Sequence, residues 1–448
     1  MIFPSVAIAQ KTDSLLNKAG FYYENEEYML AIPRLTEYLH RFPDDFSAIQ
    51  MRGNCYRETG QNRLAIHDYL SALKFRNDEA DLIYNLGIAY DKELDTDSAI
   101  YYFQKFVNLE PERSEGYIRL SILFMYTHPE WGDSAVYYAG KAVHSDPENP
   151  MNYNFLAMAY YSSDQNKNAL ETALRGLAID SSIYILNRTA GISSFFMKDY
   201  KSAINYFERA YNLNPEDFIS LDYKIQTMLL QNTNPEKFSF PSGGVISLNG
   251  IFSGNIRNTE KQVLNLNGPY AYKKLINKFR STPLKMSLDE FFMLYFGSST
   301  QGGYAPYKKP STEKNPENDL NNKALDLEEI LFKNPADFPL YLILADTYLE
   351  FGNVEKYFEN RFKYFGFTES IKAAGDGLTP AKAYIVTDVS HEYNIMVSLG
   401  YSITAQRLVK HDKKYYDVLT GQDDNNVEVL IYFNIDKPYG TLSKKGKN

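Results

Sequence analysis

The chain has 448 residues, of which 44% are hydrophobic and 23% charged, so it can bury a large core and is not disordered throughout. A single cysteine, Cys55, excludes a disulfide framework and a cysteine-rich metal cluster, and no apolar run reaches the ~18 residues of a membrane-spanning helix. Residues 1–231 carry 21 basic and 31 acidic side chains, which disfavours binding to the phosphates of nucleic acid. We therefore expect no nucleic-acid partner and no membrane span.

The first ten residues, MIFPSVAIAQ, have some features of an export signal. Ile2 to Ile8 form a short apolar run, and Ala7-Ile8-Ala9 before Gln10 fits the small-x-small rule for signal cleavage. The basic segment and the length of a full signal are missing. We interpret residues 1–10 as a signal-peptide remnant, which predicts a periplasmic or secreted protein. The alternative is an ordinary N-terminus of a cytoplasmic protein.

A repeat of 34 residues dominates the first half of the chain. Prolines or their substitutes recur at steps of 34, 34, 36, 34 and 34 residues, at Pro43, Asn77, Pro111, Pro147, Ser181 and Pro215. A small residue lies twelve positions before each, at Ala31, Ala65, Ala99, Ala135, Ala169 and Ala203. Small residues let two helices approach closely, and proline ends the second helix of each pair. The pattern predicts six helix pairs, with Gly53, Gly87 and Ala99 at tight helix crossings.

At this spacing the sequence resembles the tetratricopeptide repeat (TPR) family across about 12–215. The resemblance implies a right-handed superhelix whose concave wall comes from the first helix of each pair. We predict a mostly α fold: a six-repeat TPR α-solenoid with a capping helix, then a linker, then a smaller α+β domain with a short antiparallel sheet. The predicted ranges of these three parts are 11–231, 232–268 and 269–448.

The same resemblance identifies residues that would face a peptide in the groove. Asn54, Asn85 and Arg119 match the family's carboxylate clamp, whereas its two lysine positions hold Gln50 and Glu115. Because Glu115 would repel a ligand carboxylate, the sequence argues against recognition of acidic C-terminal chaperone tails. The matching residues could still hydrogen-bond a peptide backbone, or they are ordinary solvated groove residues.

Repeats four to six place an apolar strip on this wall, where side chains normally face water. The strip consists of Ile122, Met125, Met158, Tyr161, Ile192 and Phe195. A contiguous apolar surface implies burial against something, either a peptide of a protein partner or this chain's own C-terminal half. The linker offers apolar residues for the second arrangement, at Phe238, Phe240, Val245, Ile246, Ile251 and Phe252. The sequence does not set the oligomeric state.

The C-terminal half begins with helices and ends with strands. A capping box at 287–290 opens an aromatic helix, and 324–335 with 342–362 resembles a degenerate seventh helix pair. After Tyr364 the hydrophobic period changes to two. The predicted elements are then a strand at 383–388, a short helix at 391–401, a hairpin over 404–421 centred on His411-Asp412, and a strand at 427–436.

The segments LDEFFMLYFG, GYAPY and GDGLTPAKAYIVTDVSHEYNIMVSLGY carry a second resemblance. They are similar to a bacterial family of unknown function, number 4919 in its series and seen mainly in Bacteroidota. The resemblance covers about 269–440, and no activity or ligand comes with it.

The best candidate for chemistry is the Gly375-Asp376-Gly377 loop with Asp388 and His391 downstream. Such a loop can bind an anion through its amides or lend Asp376 to a cation, with Asp388 and His391 as acid/base groups. The structural interpretation is a tight turn at Asp376 and a helix capped by Ser390. The sequence has no HExxH, GxSxG, Walker or GxGxxG motif, so we predict no catalytic residue, metal or cofactor.

Two functions therefore stand. The first is a non-enzymatic interaction scaffold, whose groove binds a protein or peptide partner. The alternative is a small-ligand receptor or hydrolase-like enzyme that uses the 375–392 loop. A polar pocket in which Asp376, Asp388 and His391 converge would favour the alternative.

Overall fold

The computed structural model describes residues 15–127, 132–233, 256–302, 304, 320–423 and 426–439, without the side chains of 256–258. The signal remnant at 1–10, most of the inserted turn at 127–131 and the apolar linker residues from 238 to 252 lie outside the described residues. The chain divides into two compact units, Met1–Lys198 and Asp199–Asn448.

The first unit is a series of helices of similar length, in which each helix packs against the next along the chain. Aspartates start several of them; the Asp45 carboxylate, for example, accepts the Ala48 amide at 3.0 Å. The helices are α1 (residues 15–24), α2 (Tyr28–Leu39), α3 (Phe46–Glu58), α4 (Asn62–Leu73), α5 (Ala80–Lys92), α6 (Thr96–Leu109), α7 (Ser114–Thr127), α8 (Gly132–Ser145), α9 (Pro150–Ser162), α10 (Asn166–Ile179) and α11 (Tyr184–Phe196).

The predicted repeat pattern of small residues is confirmed at the helix crossings. Every one of the six aligned alanines, including Ala99, is fully buried. A Cβ atom added at Gly53 would lie 2.7 Å from the Tyr69 ring, and one at Gly87 would lie 2.8 Å from the Phe103 ring. The first helix of these repeats therefore rests directly on a ring of the second helix.

The second unit begins with two helices of the repeat pattern and continues into the C-terminal domain. Its helices are α12 (Tyr200–Leu213), α13 (Phe218–Asn232), α14 (Ile256–Leu264), α15 (Tyr272–Ser281), α16 (Leu288–Ser298), α17 (Leu320–Lys333), α18 (Pro339–Glu350), α19 (Val354–Ala373) and α20 (Ser390–Ser398). The predicted capping box at Ser287 is present. The six residues from Phe291 to Phe296 are fully buried, as expected for a helix that is apolar on all sides. The predicted segment 342–362 is two helices, α18 and α19, joined by a turn at Gly352.

A four-stranded sheet completes the second unit. Its strands are β1 (Tyr384–Ile385), β2 (Ser402–His411), β3 (Lys414–Gln422) and β4 (Glu428–Asn434), in the order β1-β4-β3-β2. The predicted hairpin is confirmed as β2–β3, with its turn at Asp412-Lys413. The prediction of an antiparallel sheet was wrong in one respect: β1 runs parallel to β4, so the sheet is mixed. The predicted strand at 383–388 is only two residues long.

Candidate functional site

The polar part of the groove wall is a hydrogen-bonded ladder between neighbouring repeats. Asn54 of α3 donates its amide to the Tyr23 hydroxyl at 3.1 Å and accepts the Tyr69 hydroxyl at 2.8 Å. Asn85 of α5 donates to the Asn54 carbonyl oxygen at 3.4 Å. The structure therefore brings Asn54 and Asn85 together, but the Asn54 side chain makes its hydrogen bonds to other residues of this chain. The sequence signal for the ladder is the hydroxyl that distinguishes Tyr69 from Phe103, its equivalent in the next repeat.

Arg119 of α7 continues this wall. Its Nε donates to the Tyr84 hydroxyl at 3.4 Å, and within the described residues its terminal nitrogens have no further hydrogen bond or ion pair. Glu115, one turn earlier, is paired with Arg113 at 2.6 Å, and Arg113 also binds Asp81 at 2.7 Å. The repulsion expected from Glu115 is therefore reduced by a neighbouring guanidinium.

The apolar strip of repeats four to six is partly covered. Five of its residues are half-buried, at Ile122, Met125, Met158, Tyr161 and Ile192, whereas the predicted strip residue Phe195 is only 4% exposed and packs against Phe196. Asn154 is buried beneath the strip, where it accepts the Thr189 hydroxyl at 2.8 Å. The Tyr161 ring contacts Phe196 at 5.3 Å between centroids, and Phe196 is 38% exposed. Ile122, Met125, Met158, Tyr161 and Ile192 therefore remain available for contact, and their role in binding stays a prediction.

The Gly375–Gly377 loop is a closed turn. The amides of Asp376 and Gly377 both donate to the Lys382 carbonyl oxygen at 3.0 Å, so neither is free for an anion. The Asp376 carboxylate accepts the Leu378 amide at 3.0 Å and pairs with Lys382 at 3.0 Å. Gly377 has a φ of +69°, and a Cβ atom there would lie 2.6 Å from the Tyr384 ring. A Cβ atom at Gly375 would clash with the Lys382 carbonyl oxygen, so close contacts explain both glycines without a ligand.

Asp388 and His391 lie at the start of α20, and each is tied to its own partner. The Asp388 carboxylate accepts the Ser390 amide at 2.9 Å and the Ser390 hydroxyl at 2.7 Å, so Ser390, the first residue of this helix, bonds to Asp388 instead of capping the helix. Burial raises the pKa of Asp388. Within the described residues no hydrogen bond or ion pair links Asp376 to Asp388 or His391. The structure therefore does not bring the three predicted residues into one polar contact.

His391 is buried in the core of the second unit. Its Nδ1 lies 2.9 Å from the Tyr295 hydroxyl, which also accepts the Thr387 amide at 2.9 Å. The Tyr295 hydroxyl has one proton and two lone pairs, so beside the Thr387 amide it can either donate to Nδ1 or accept from it, according to the tautomer of the imidazole. Burial lowers the pKa of His391 to about 3, so the ring is neutral. This is the arrangement of a buried core histidine that is hydrogen-bonded to a tyrosine.

The pattern-based search did not find Asp417 of β3, an acid that faces the core. It is 8% exposed, accepts Gln406 Nε2 at 3.0 Å, and lies near Glu392, which is fully buried. The available signal was alternation, since Asp417 stands two residues before Leu419 on the inward face of its strand. Cys55 is buried, and burial raises the pKa of its thiol to about 12, which suits a structural residue.

The described residues show neither a metal-binding cluster nor a membrane-spanning helix. They contain no group of three or more histidine, cysteine, aspartate or glutamate side chains arranged for a metal ion. They also contain no helix with the length and apolar composition needed to cross a membrane.

Protein-family models match segments in both halves of the chain. TPR models match residues 53–92, 81–112 and 190–217. The first half carries tetratricopeptide repeats. Residues 257–444 match the model of a domain of unknown function (DUF4919). TPR proteins bind protein or peptide partners and generally act as non-enzymatic scaffolds, which supports an interaction role for the TPR array.

Solved structures similar to this chain are TPR proteins of low sequence identity. YrrB, described as a TPR protein with an unusual peptide-binding site, is 17% identical, with a TM-score of 0.36 over 42% of this chain and 97% of its own. The C-terminal part of a TPR protein from Cytophaga hutchinsonii is 17% identical, with a TM-score of 0.42 over 64% and 96%. PilW, a type IV pilus biogenesis factor, is 16% identical, with a TM-score of 0.40 over 46% and 96%. A search of curated proteins found no match.

Proposed function

We propose that the protein is a non-enzymatic scaffold, and that the concave wall of its TPR repeats four to six binds an extended peptide of a protein partner. The observation that carries the proposal is the series of half-buried apolar side chains on α7, α9 and α11. Covering one such side chain completely is worth up to about 1.5–3 kcal/mol, and methionine adapts its shape to different ligands. Met125 and Met158 suit a site that accepts more than one apolar side chain.

Polar groups beside the strip would hold the peptide backbone. Arg119 lies between the polar ladder and the apolar strip, and its terminal nitrogens can donate to peptide carbonyls or to an acidic side chain. The charged residues on α7, α9 and α11 are Glu115, Arg119 and Arg188, and Glu115 is already paired with Arg113. Arg119 therefore places a positive charge beside the strip. We expect the wall to prefer peptides in which apolar residues flank a carboxylate.

The test is selection of peptides by the full chain from a phage-displayed random library, followed by fluorescence anisotropy with the enriched sequences. Met158→Glu places a charge on the strip and should weaken binding at least tenfold. Tyr137→Glu, at a residue of α8 that is 58% exposed, is the matched control and should bind as the wild type does. Circular dichroism melting of each variant checks that the fold is retained.

Two outcomes would contradict this proposal. One is equal affinity of the wild type and Met158→Glu for every selected peptide. The other is a full chain that enriches no peptide at all, which would instead favour coverage of the strip by the chain's own linker. The predicted export signal at 1–10 and the predicted absence of catalysis stay predictions, and the TPR scaffold function depends on neither.

A further inference from the structure

Repeat two differs from the repeats that follow it at two positions aligned by the repeat steps, where it carries Arg52 and Asp68. The residues aligned with Arg52 are Leu86, Leu120, Leu156 and Ala190, each 7% exposed or less; those aligned with Asp68 are Tyr102, Tyr138, Thr172 and Tyr206. An arginine and an aspartate therefore occupy the place that a leucine and a tyrosine fill in repeats three and four.

The two side chains form a bidentate ion pair inside the array. Arg52 Nε donates to Asp68 Oδ2 at 2.7 Å, and Nη2 donates to Oδ1 at 2.8 Å. Asp68 is 2% exposed, so both of its oxygens are committed to the guanidinium. The remaining Nη1 makes only a long hydrogen bond, 3.4 Å, to the Thr36 hydroxyl of the preceding repeat. One side of the guanidinium therefore stays open.

That open side faces a cleft of about 260 Å³ between repeats one and two. The cleft is lined mainly from the second helices α2 and α4, not from the first helices that form the groove wall. Its lining consists of Thr36, Leu39, His40, Pro43, Ile49, Arg52, His67, Asp68 and Ser71. Drug-sized ligands occupy roughly 300–1,000 Å³, so this cleft suits a smaller molecule.

Donors predominate over free acceptors in the cleft. Arg52 Nη1, the Thr36 hydroxyl and the imidazoles of His40 and His67 can all donate, while the Asp68 carboxylate is occupied by Arg52. His67 Nδ1 lies 3.4 Å from Asp68 Oδ1, which leaves Nε2 to the cleft. Leu39, Pro43 and Ile49 supply an apolar side. The chemistry is that of an anion carrying a small apolar group.

We propose that this cleft binds a compact organic oxyanion, a carboxylate or phosphate monoester attached to a small apolar group. The oxyanion receives hydrogen bonds from Arg52 Nη1, Thr36 and the two imidazoles, and its apolar part rests on Leu39 and Ile49. The Arg52–Asp68 pair fixes the guanidinium so that Nη1 stays directed at the ligand. The site is independent of the peptide groove.

The test is isothermal titration calorimetry of the full chain with three probes: inorganic phosphate, phenyl phosphate and isovalerate. We expect phenyl phosphate or isovalerate to bind more tightly than inorganic phosphate, and the comparison of the two organic probes distinguishes the phosphate source from the carboxylate source. The double variant R52L/D68Y introduces the leucine and the tyrosine that repeats three and four carry at these positions. It should lose binding at least tenfold while keeping its thermal midpoint, because replacing a buried ion pair by apolar residues is often neutral or stabilising.

A second variant avoids the core entirely. H40Q/H67Q changes two exposed side chains and should weaken the same probe several-fold without affecting the fold. The proposal is overturned if no probe binds the wild type, or if both double variants bind as the wild type does. Neither result bears on peptide binding at Met158, so the two proposals fail separately.

Discussion

At the scale of single residues, the turns between the two helices of a repeat use left-handed backbone at equivalent positions. In the turns that the structure describes within repeats one, two, three, five and six, the residues with positive φ are Glu26, Gly60, Leu94, Asp164 and Lys198, at +58° to +73°, and the repeat steps align them. Only one of them is a glycine. A residue with a Cβ atom is strained in this region, by roughly 1–2 kcal/mol, so four of these turns are less favourable than they could be.

Leu94→Gly should therefore stabilise the first unit. Leu94 is 88% exposed and loses little packing, while the change relieves its positive φ. The entropy of a glycine in the unfolded chain offsets part of the gain, so we expect up to about 1 kcal/mol. Gly60→Ala is the reciprocal change at the aligned position, where an added Cβ meets no atom within 4 Å. It should lower the free energy of unfolding, measured in urea, by about 1 kcal/mol. If both variants are as stable as the wild type, the strain assigned to these turns is refuted.

Gly87 has a different requirement, the close approach of two helices. A Cβ atom there would lie 2.8 Å from the Phe103 ring, which is fully buried and cannot move away freely. Gly87→Ala should cost about 1–3 kcal/mol, the usual cost of overpacking. Gly140→Ala, inside α8 with no atom within 4 Å of the new Cβ, should instead be neutral or stabilising because alanine favours helix. Thermal melting of the two variants should move in opposite directions.

The sequence predicts the left-handed turn residues less well than the close contacts between helices. Gly53 and Gly87 follow from the repeat because a small residue at a fixed spacing has one explanation, helix contact. Leu94 gives no such signal, since nothing in a leucine side chain favours positive φ. The hydrogen bonds that engage Asn54 were also beyond prediction, because they depend on which neighbouring hydroxyl lies within reach.

At the scale of elements, α20 packs against the sheet and carries a buried acid, Glu392. Glu392 is fully buried, and its carboxyl group lies beside the carboxyl group of Asp417 on β3. Burial raises its pKa well above the ordinary value of 4.5, and the charges of Asp417 on β3 and Asp388 at the start of α20 raise it further. The side chain is therefore held neutral in the folded protein.

This predicts stability that falls as pH rises. Below pH 4.5 Glu392 is protonated in both the folded and the unfolded state, so it adds no pH dependence. Above pH 4.5 the unfolded chain ionises at this residue while the folded chain stays protonated, so the free energy of unfolding declines until the pH passes the raised pKa of the folded state. Glu392→Gln should remove this decline. At pH 7 it should raise the melting temperature of the second unit; a gain of about 1 kcal/mol corresponds to roughly 2–4 °C in a unit of this size.

The control for this change is Glu428→Gln, at an exposed residue of β4 in the same sheet. Its melting temperature should follow that of the wild type from pH 4 to pH 8. If Glu392→Gln and the wild type keep parallel profiles over that range, Glu392 is not held neutral by burial.

The elements themselves were predictable where periodicity is long. The β2–β3 hairpin and the six helix pairs follow from alternation and from the repeat. The parallel pairing of β1 with β4 does not, because a two-residue strand has no periodicity and its partner lies 49 residues away. In 342–362, Ala345, Tyr348 and Gly352 fall at repeat-like offsets, and α18 and α19 lie on either side of Gly352.

At the scale of the whole molecule, α13 connects the repeat pattern to the C-terminal domain. It packs against α19 and α16 as well as against α12. Asp222 of α13 accepts Arg361 of α19 at 2.7 Å, and both side chains are largely buried. At the end of α13, Asn232 donates to the Leu284 carbonyl at 2.8 Å, and the Thr233 hydroxyl accepts the Leu288 amide at 3.0 Å. The predicted capping helix is therefore part of the C-terminal core.

A fragment of residues 199–448 should then fold alone, whereas a fragment of residues 256–448, close to the DUF4919 match, should not. Without α13, Arg361 loses the partner of a buried charge, which costs about 3–5 kcal/mol. The surface of α19 and α16 that α13 covers is exposed as well, because Leu221, Ile225 and Leu229 are all removed. We expect a cooperative melt for the longer fragment, and broad melting with strong binding of a hydrophobic dye for the shorter. The opposite result is a shorter fragment that melts as sharply as the longer one and does not bind the dye. In that case α13 stabilises the repeats alone, and the Asp222–Arg361 pair contributes little to the stability of the C-terminal domain.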